Sequence, residues 1–109
     1  PILVGGDTDA AIRRAVNLAD GYFPGEGDAE KLGNLLDRVK TACNKAGRDY
    51  SSLEINAMFG AQMADPERGI EELRALGVGR IMLPAFFFAG PGGLDRLSEF
   101  GEKYIPRTI

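Results

Sequence analysis

Histidine is absent from this chain and cysteine occurs once. The first absence removes the commonest general base and the commonest zinc ligand. Cys43 alone replaces neither and has no partner for an intrachain disulfide. A single cysteine fits a reducing compartment, and a cytoplasmic location is expected. No apolar run approaches the roughly 18 residues of a membrane span, and no basic stretch leads into an apolar core as in a signal peptide. Lysine and arginine total 13 against 16 acids, a net charge of −3, and they are scattered. Neither a nucleic acid nor a membrane is therefore expected as a partner. The side chains themselves carry little chemistry.

What is present is alternation. Ile2, Leu3 and Val4 run into Gly5-Gly6. Ile12, Ala15, Val16 and Ala19 then recur at i, i+3, i+4, i+7, one stripe of a helix, with Asp7 or Thr8 as its cap. Gly21-Tyr22-Phe23 is a second short strand, closed by Pro24-Gly25. Asp28 opens a longer helix with Leu32, Leu35, Leu36, Val39 and Cys43 on one face, and Gly47 ends it. In the third strand, Leu53, Ile55, Ala57 and Phe59 alternate with Glu54, Asn56 and Met58. Asp65-Pro66-Glu67 starts a helix striped by Ile70, Leu73 and Leu76, which Gly77 stops. A fourth strand is expected from Arg80 to about Phe87, and a last helix through Leu94, Leu97, Phe100 and Tyr104, stopped by Pro106.

The order βαβαβαβα predicts a parallel sheet, since parallel neighbours need a crossover and each helix supplies one. Strand starts near residues 2, 21, 53 and 80 are spaced 19, 32 and 27 residues apart. A (βα)8 barrel takes about 250 residues, roughly 31 per unit, so four units in 109 residues are half a barrel's worth. A small open doubly wound sheet is the alternative. The third strand favours the barrel, because a doubly wound sheet buries two apolar faces and this strand has one. The fold expected is α/β: a (βα)4 half of a TIM (βα)8 barrel, with residues 1–109 forming one domain.

Glycines at the carboxyl end of a parallel strand let the backbone approach a ligand, and the following helix aims unpaired amides at the same point. Two readings of Gly5-Gly6 stand: a tight βα turn, or a cradle for phosphate or another anion.

The joint spacing of Gly5-Gly6, Arg14-Ala15 and Asp20-Gly21-Tyr22-Phe23-Pro24, with "AGRD" and "LGVGRIML" further on, resembles the C-terminal half of the luciferase-like monooxygenase family, in its branch using FMN or the deazaflavin coenzyme F-420. The resemblance covers essentially the whole chain and implies strands five to eight of a (βα)8 barrel, with the first four βα units absent. It implies an oxidoreductase whose cofactor, FMN or coenzyme F-420, carries the redox chemistry. It also implies a cofactor-binding set of Gly5, Gly6, Asp7, Thr8, Pro24 and Gly25 around the cofactor's phosphate. Asp7 and Glu26 depart from the pattern, placing carboxylates where relatives often have serine, threonine or lysine. No catalytic residue and no metal ligand is assigned.

The half-barrel is expected to be inactive alone, because the cofactor ring in such enzymes lies against the missing strands. The alternatives are an active FMN- or F-420-binding oxidoreductase formed by the assembled homodimer, and a small open α/β phosphate-binding domain. Two bare parallel edges and an uncovered concave face favour self-association, and a homodimer closing an eight-strand barrel is the expected partner. Asp20-Gly21 is read as a helix end feeding a strand, Arg13 and Arg14 as a solvated helix face, and Cys43 as a buried, inert thiol. Glu54 and Asn56 are expected to need partners if the barrel closes and to be wet if it stays open. Of the three phenylalanines at 86–88, at least one is expected to be exposed, or to lie against another chain.

Overall fold

A computed structural model describes residues 1–105. Four strands, β1 (Leu3–Gly5), β2 (Gly21–Phe23), β3 (Glu54–Met58) and β4 (Arg80–Met82), alternate with four helices, α1 (Asp9–Leu18), α2 (Ala29–Ala46), α3 (Pro66–Ala75) and α4 (Gly93–Tyr104). All pairings are parallel, and the strands lie in chain order, β1-β2-β3-β4. A doubly wound sheet reverses its order partway and carries helices on both faces. Among the described residues the order does not reverse, and the buried residues of all four helices join one cluster.

The register shows how the faces divide. Val4, Tyr22 and Ile55 are aligned across three strands, and Ala57 is aligned with Ile81. All five join one core cluster with residues from all four helices: Ile12 and Val16, then Leu32, Leu36, Val39 and Cys43, then Leu73, then Phe100. One face of the sheet therefore takes every helix. The opposite face presents Leu3, Gly21 and Glu54 in one row, Gly5 aligned with Phe23, Asn56 aligned with Arg80, and Met58 aligned with Met82. No helix covers it.

Local chemistry sets the helix ends. Thr8, not Asp7, caps α1, accepting from the Ala11 amide at 3.2 Å. Asp28 caps α2 through the Lys31 amide, and Gly47 closes it in the left-handed region at φ 70°. Asp65 caps α3 with Pro66 at its first position. The expected stripes of α1 and α2 are all buried.

The second half departs from the expected pattern. Strand β4 ends at Met82 instead of running to Phe87, and Ala85–Phe88 form a 3₁₀ turn. Pro84 explains this: it has no amide for the ladder and starts the turn at φ −61°. Phe86 is exposed in consequence. On α4 only Phe100 and Gly93 are buried, while Leu94 is 81% and Leu97 45% exposed. Pro106 lies outside the described residues. The core is thus dense around α1, α2, β2 and β3 and thins toward β4 and α4. The radius of gyration, 15.2 Å, exceeds the roughly 13 Å of a compact chain this long.

Candidate functional site

The carboxyl ends of β1 and β2 bring the expected residues together. Gly5 ends β1, and Gly6 takes φ +105°, a backbone state that side chains with a Cβ rarely adopt. This turns the chain into α1 beneath Thr8. Asp7 reaches across to the next loop, where its Oδ1 accepts from the Gly25 amide at 2.8 Å. From the end of β2, the Tyr22 hydroxyl donates to the Gly6 carbonyl at 2.6 Å. Pro24 is fully buried beside it. Gly5, Gly6, Asp7, Thr8, Pro24 and Gly25 therefore form one continuous rim. A third loop joins it, since Gln62 Nε2 donates to the Gly27 carbonyl at 3.0 Å.

The electrostatics of the rim follow from the same contacts. Burial, and then the negative charge of Asp7, push the Tyr22 phenol up to about 12. Arg38 hydrogen-bonds and ion-pairs with Asp9 in the first turn of α1, which holds that carboxyl below the usual range. Glu26 accepts from the Asp28 amide at 3.0 Å. A cleft of about 200 Å³ lies between these groups, lined by Asp7, Glu26, Lys31, Asn34, Leu35 and Arg38. Lys31, Asn34 and Arg38 were not singled out in the sequence. Their spacing of three and four residues puts them on one flank of α2, which is the signal that finds them.

The rim is a poor host for phosphate. The Gly25 amide, one of the donors such a group needs, already holds the Asp7 carboxylate. Glu26 adds a further acid, Arg38 is paired with Asp9, and Lys31 is the other cation lining the cleft. A phosphate dianion does not fit here unless Asp7 is displaced. Among the described residues no group of three or more acids, cysteines or histidines is placed to hold a metal ion. No described helix is long and apolar enough to cross a membrane.

The bare face of the sheet holds a second polar feature. Glu54 pairs with Arg80 at 3.2 Å. Asn56, two residues after Glu54 and aligned with Arg80, is 0% exposed, and both ends of its carboxamide lack a hydrogen-bond partner. It is neither partnered nor wet. Cys43 is buried in the core, where desolvation pushes its thiol up, so it is unreactive. Arg48 of the "AGRD" stretch is structural: its guanidinium donates to the carbonyls of Ala15, Val16 and Ala19 at the end of α1.

No protein-family model matches the chain. An uncharacterized protein of Mycobacterium bovis and uncharacterized proteins of two strains of Mycobacterium tuberculosis are similar to it, each 48% identical over 58 residues. The match takes in 53% of this chain and 19% of each relative. The chain thus matches about a fifth of their length, which is about 300 residues if 58 are 19%.

Proposed function

We propose that this chain is half of a (βα)8 barrel of the luciferase-like, flavin- or deazaflavin-dependent oxidoreductase type, inert in isolation and completed by self-association. The observation that carries the reading is the sheet: four parallel strands in chain order, helices on one face only, and Glu54, Asn56 and Arg80 on the face a barrel would enclose. Mycobacterial relatives of about 300 residues have the length of a full barrel with insertions. In this reading Gly5, Gly6, Asp7, Thr8, Pro24 and Gly25 shape the rim of the barrel. The cofactor, FMN or coenzyme F-420, supplies the redox chemistry when the enzyme is whole. The chain's own residues contribute walls and loop ties, and with Asp7 on the Gly25 amide they hold no phosphate in the isolated half.

The test is a fluorescence titration of the purified chain with FMN and with coenzyme F-420, alongside an assay of cofactor-dependent reduction. No saturable binding and no turnover are expected. Cofactor-dependent turnover by the purified chain would overturn the proposal.

A further inference from the structure

We infer that the two open edges of the sheet form an interface with a second copy of this chain, joined head to tail so that β4 of each copy pairs with β1 of the other. The inference rests on the half-barrel reading above and names its surfaces and its partner. Among the described residues, the exposed large apolar side chains have a definite distribution. Ile2, Leu3 and Leu18 lie at the β1 end, while Phe86, Leu94, Leu97 and Ile105 lie at the α4 end. Met58 and Met82 lie on the bare face. None lies on α2 or α3, the helices that a closed ring would leave facing water. Apolar groups are thus exposed where closure would cover them.

The area agrees. The chain exposes 7041 Å², whereas a compact monomer of 11.7 kDa exposes about 5,900 Å². Two copies compacted into one particle of twice that mass would expose about 9,700 Å². Assembly would therefore remove about 4,400 Å² in total, within the range of obligate homodimers. A stable dimer needs far less.

Geometry restricts the partner. A parallel sheet continues only if the incoming strand has the same direction, and each copy carries one edge of each kind. Two copies of four strands give the eight that close a side-chain-filled barrel, leaving no free edge. In that arrangement α4 of one copy lies beside and parallel to α1 of the other. Leu18 and Ile105, which both follow or end their helices at the same end of the strands, then face each other across each seam. Asn56 of both copies would point into the shared interior, where its unpartnered carboxamide could find a donor and an acceptor.

The experiment is light scattering coupled to size exclusion on the whole chain, loaded from about 1 to about 200 μM. A closed species at twice 11.7 kDa, with no growth beyond it, is expected. Leu18→Lys and Ile105→Glu change exposed side chains, so each variant should keep its far-ultraviolet circular dichroism and run as a monomer. Mixing the two should restore a dimer, since the mixed species has one Lys–Glu seam and one native seam. A monomer throughout, an open series of larger masses, or no recovery on mixing overturns the inference. Preferential capture of a separately supplied N-terminal half-barrel over a second copy also overturns it. A dimer that turns over substrate with FMN or coenzyme F-420 leaves the interface standing and overturns the inert-in-isolation reading alone.

Discussion

The Asp7 carboxylate accepts from the Gly25 amide at 2.8 Å, eighteen residues away, and so joins the loops after β1 and β2 by an internal anion. A carboxylate about 4 to 5 Å from a bound dianion costs about 1 to 2 kcal/mol in high dielectric. Asp7→Asn keeps the acceptor oxygen and removes the charge. Affinity for inorganic phosphate is expected to rise roughly ten-fold over that of the native chain at low ionic strength, measured by phosphorus NMR or calorimetry. An unchanged or lower affinity would show that Asp7 is not what excludes phosphate.

The end of α1 depends on Arg48. That helix has no basic residue in its last turn, and Arg48 Nη1 donates to Ala15, Val16 and Ala19 carbonyls at 3.3, 3.1 and 2.6 Å. Its Nε donates to Ser52 Oγ at 3.1 Å. The Ala15 carbonyl also accepts from the Ala19 amide, and charge-assisted bonds to helix-end carbonyls are worth about 1.5 to 3 kcal/mol. Arg48→Ala is therefore expected to lower the unfolding free energy by about 2 to 3 kcal/mol in urea. Arg48→Lys should recover less than half, because an ammonium lacks the planar fork. Full recovery by lysine would mean that charge alone matters.

The helices with a complete apolar stripe and a side-chain cap are legible in the sequence. In α1 and α2 the period of Ile12–Ala19 and Leu32–Cys43, with Thr8 and Asp28 before them, carries both the type and the buried face. Alternation in β3 likewise marks its faces. The β4–α4 region is less legible, because "RIMLPAFFF" is apolar throughout and has no period to separate strand from turn. There Pro84 decides. Leu94 and Leu97 continue the expected stripe of α4 yet stay exposed within this chain, Leu97 less than Leu94. The rim residues share a site because the loops meet in three dimensions. That Asp7 chooses the Gly25 amide, and that Asn56 is buried without a hydrogen-bond partner, depend on contacts no local pattern encodes.

Alkaline pH should destabilise the fold. Tyr22 titrates at about 12 in the folded chain against an ordinary value of 10, chiefly because it is buried and next because Asp7 lies close. The fold thus holds the phenolic proton more tightly than the unfolded chain does. That stabilisation is fully present below pH 10 and is lost as pH rises from 10 toward 12, about 2 to 3 kcal/mol at most. The urea midpoint is expected to fall across that window. Tyr22→Phe should cost about 1 kcal/mol at neutral pH, by orphaning the Gly6 carbonyl, and should flatten the alkaline decline. Some slope should remain, since burial also raises Tyr50. An equally steep decline in the variant would move the effect to other groups.

Two glycines of α4 should respond with opposite signs. A Cβ at Gly93 would fall inside the contact distance of the Phe88 carbonyl oxygen, a backbone atom that cannot swing away. At Gly101, by contrast, the nearest atom is the Ile105 Cδ1, at 4.0 Å, and a helix interior favours alanine over glycine by about 0.5 to 1 kcal/mol. Gly93→Ala is expected to melt the start of α4 and loosen Phe100 from Phe88 and Phe59, which it meets edge-on. Hydrogen exchange should then show lost protection over residues 93–100, with β2 and α2 unchanged. Gly101→Ala should slow exchange in the same helix. If both substitutions shift exchange in the same direction, the tight approach of Gly93 to Phe88 does not set where α4 begins.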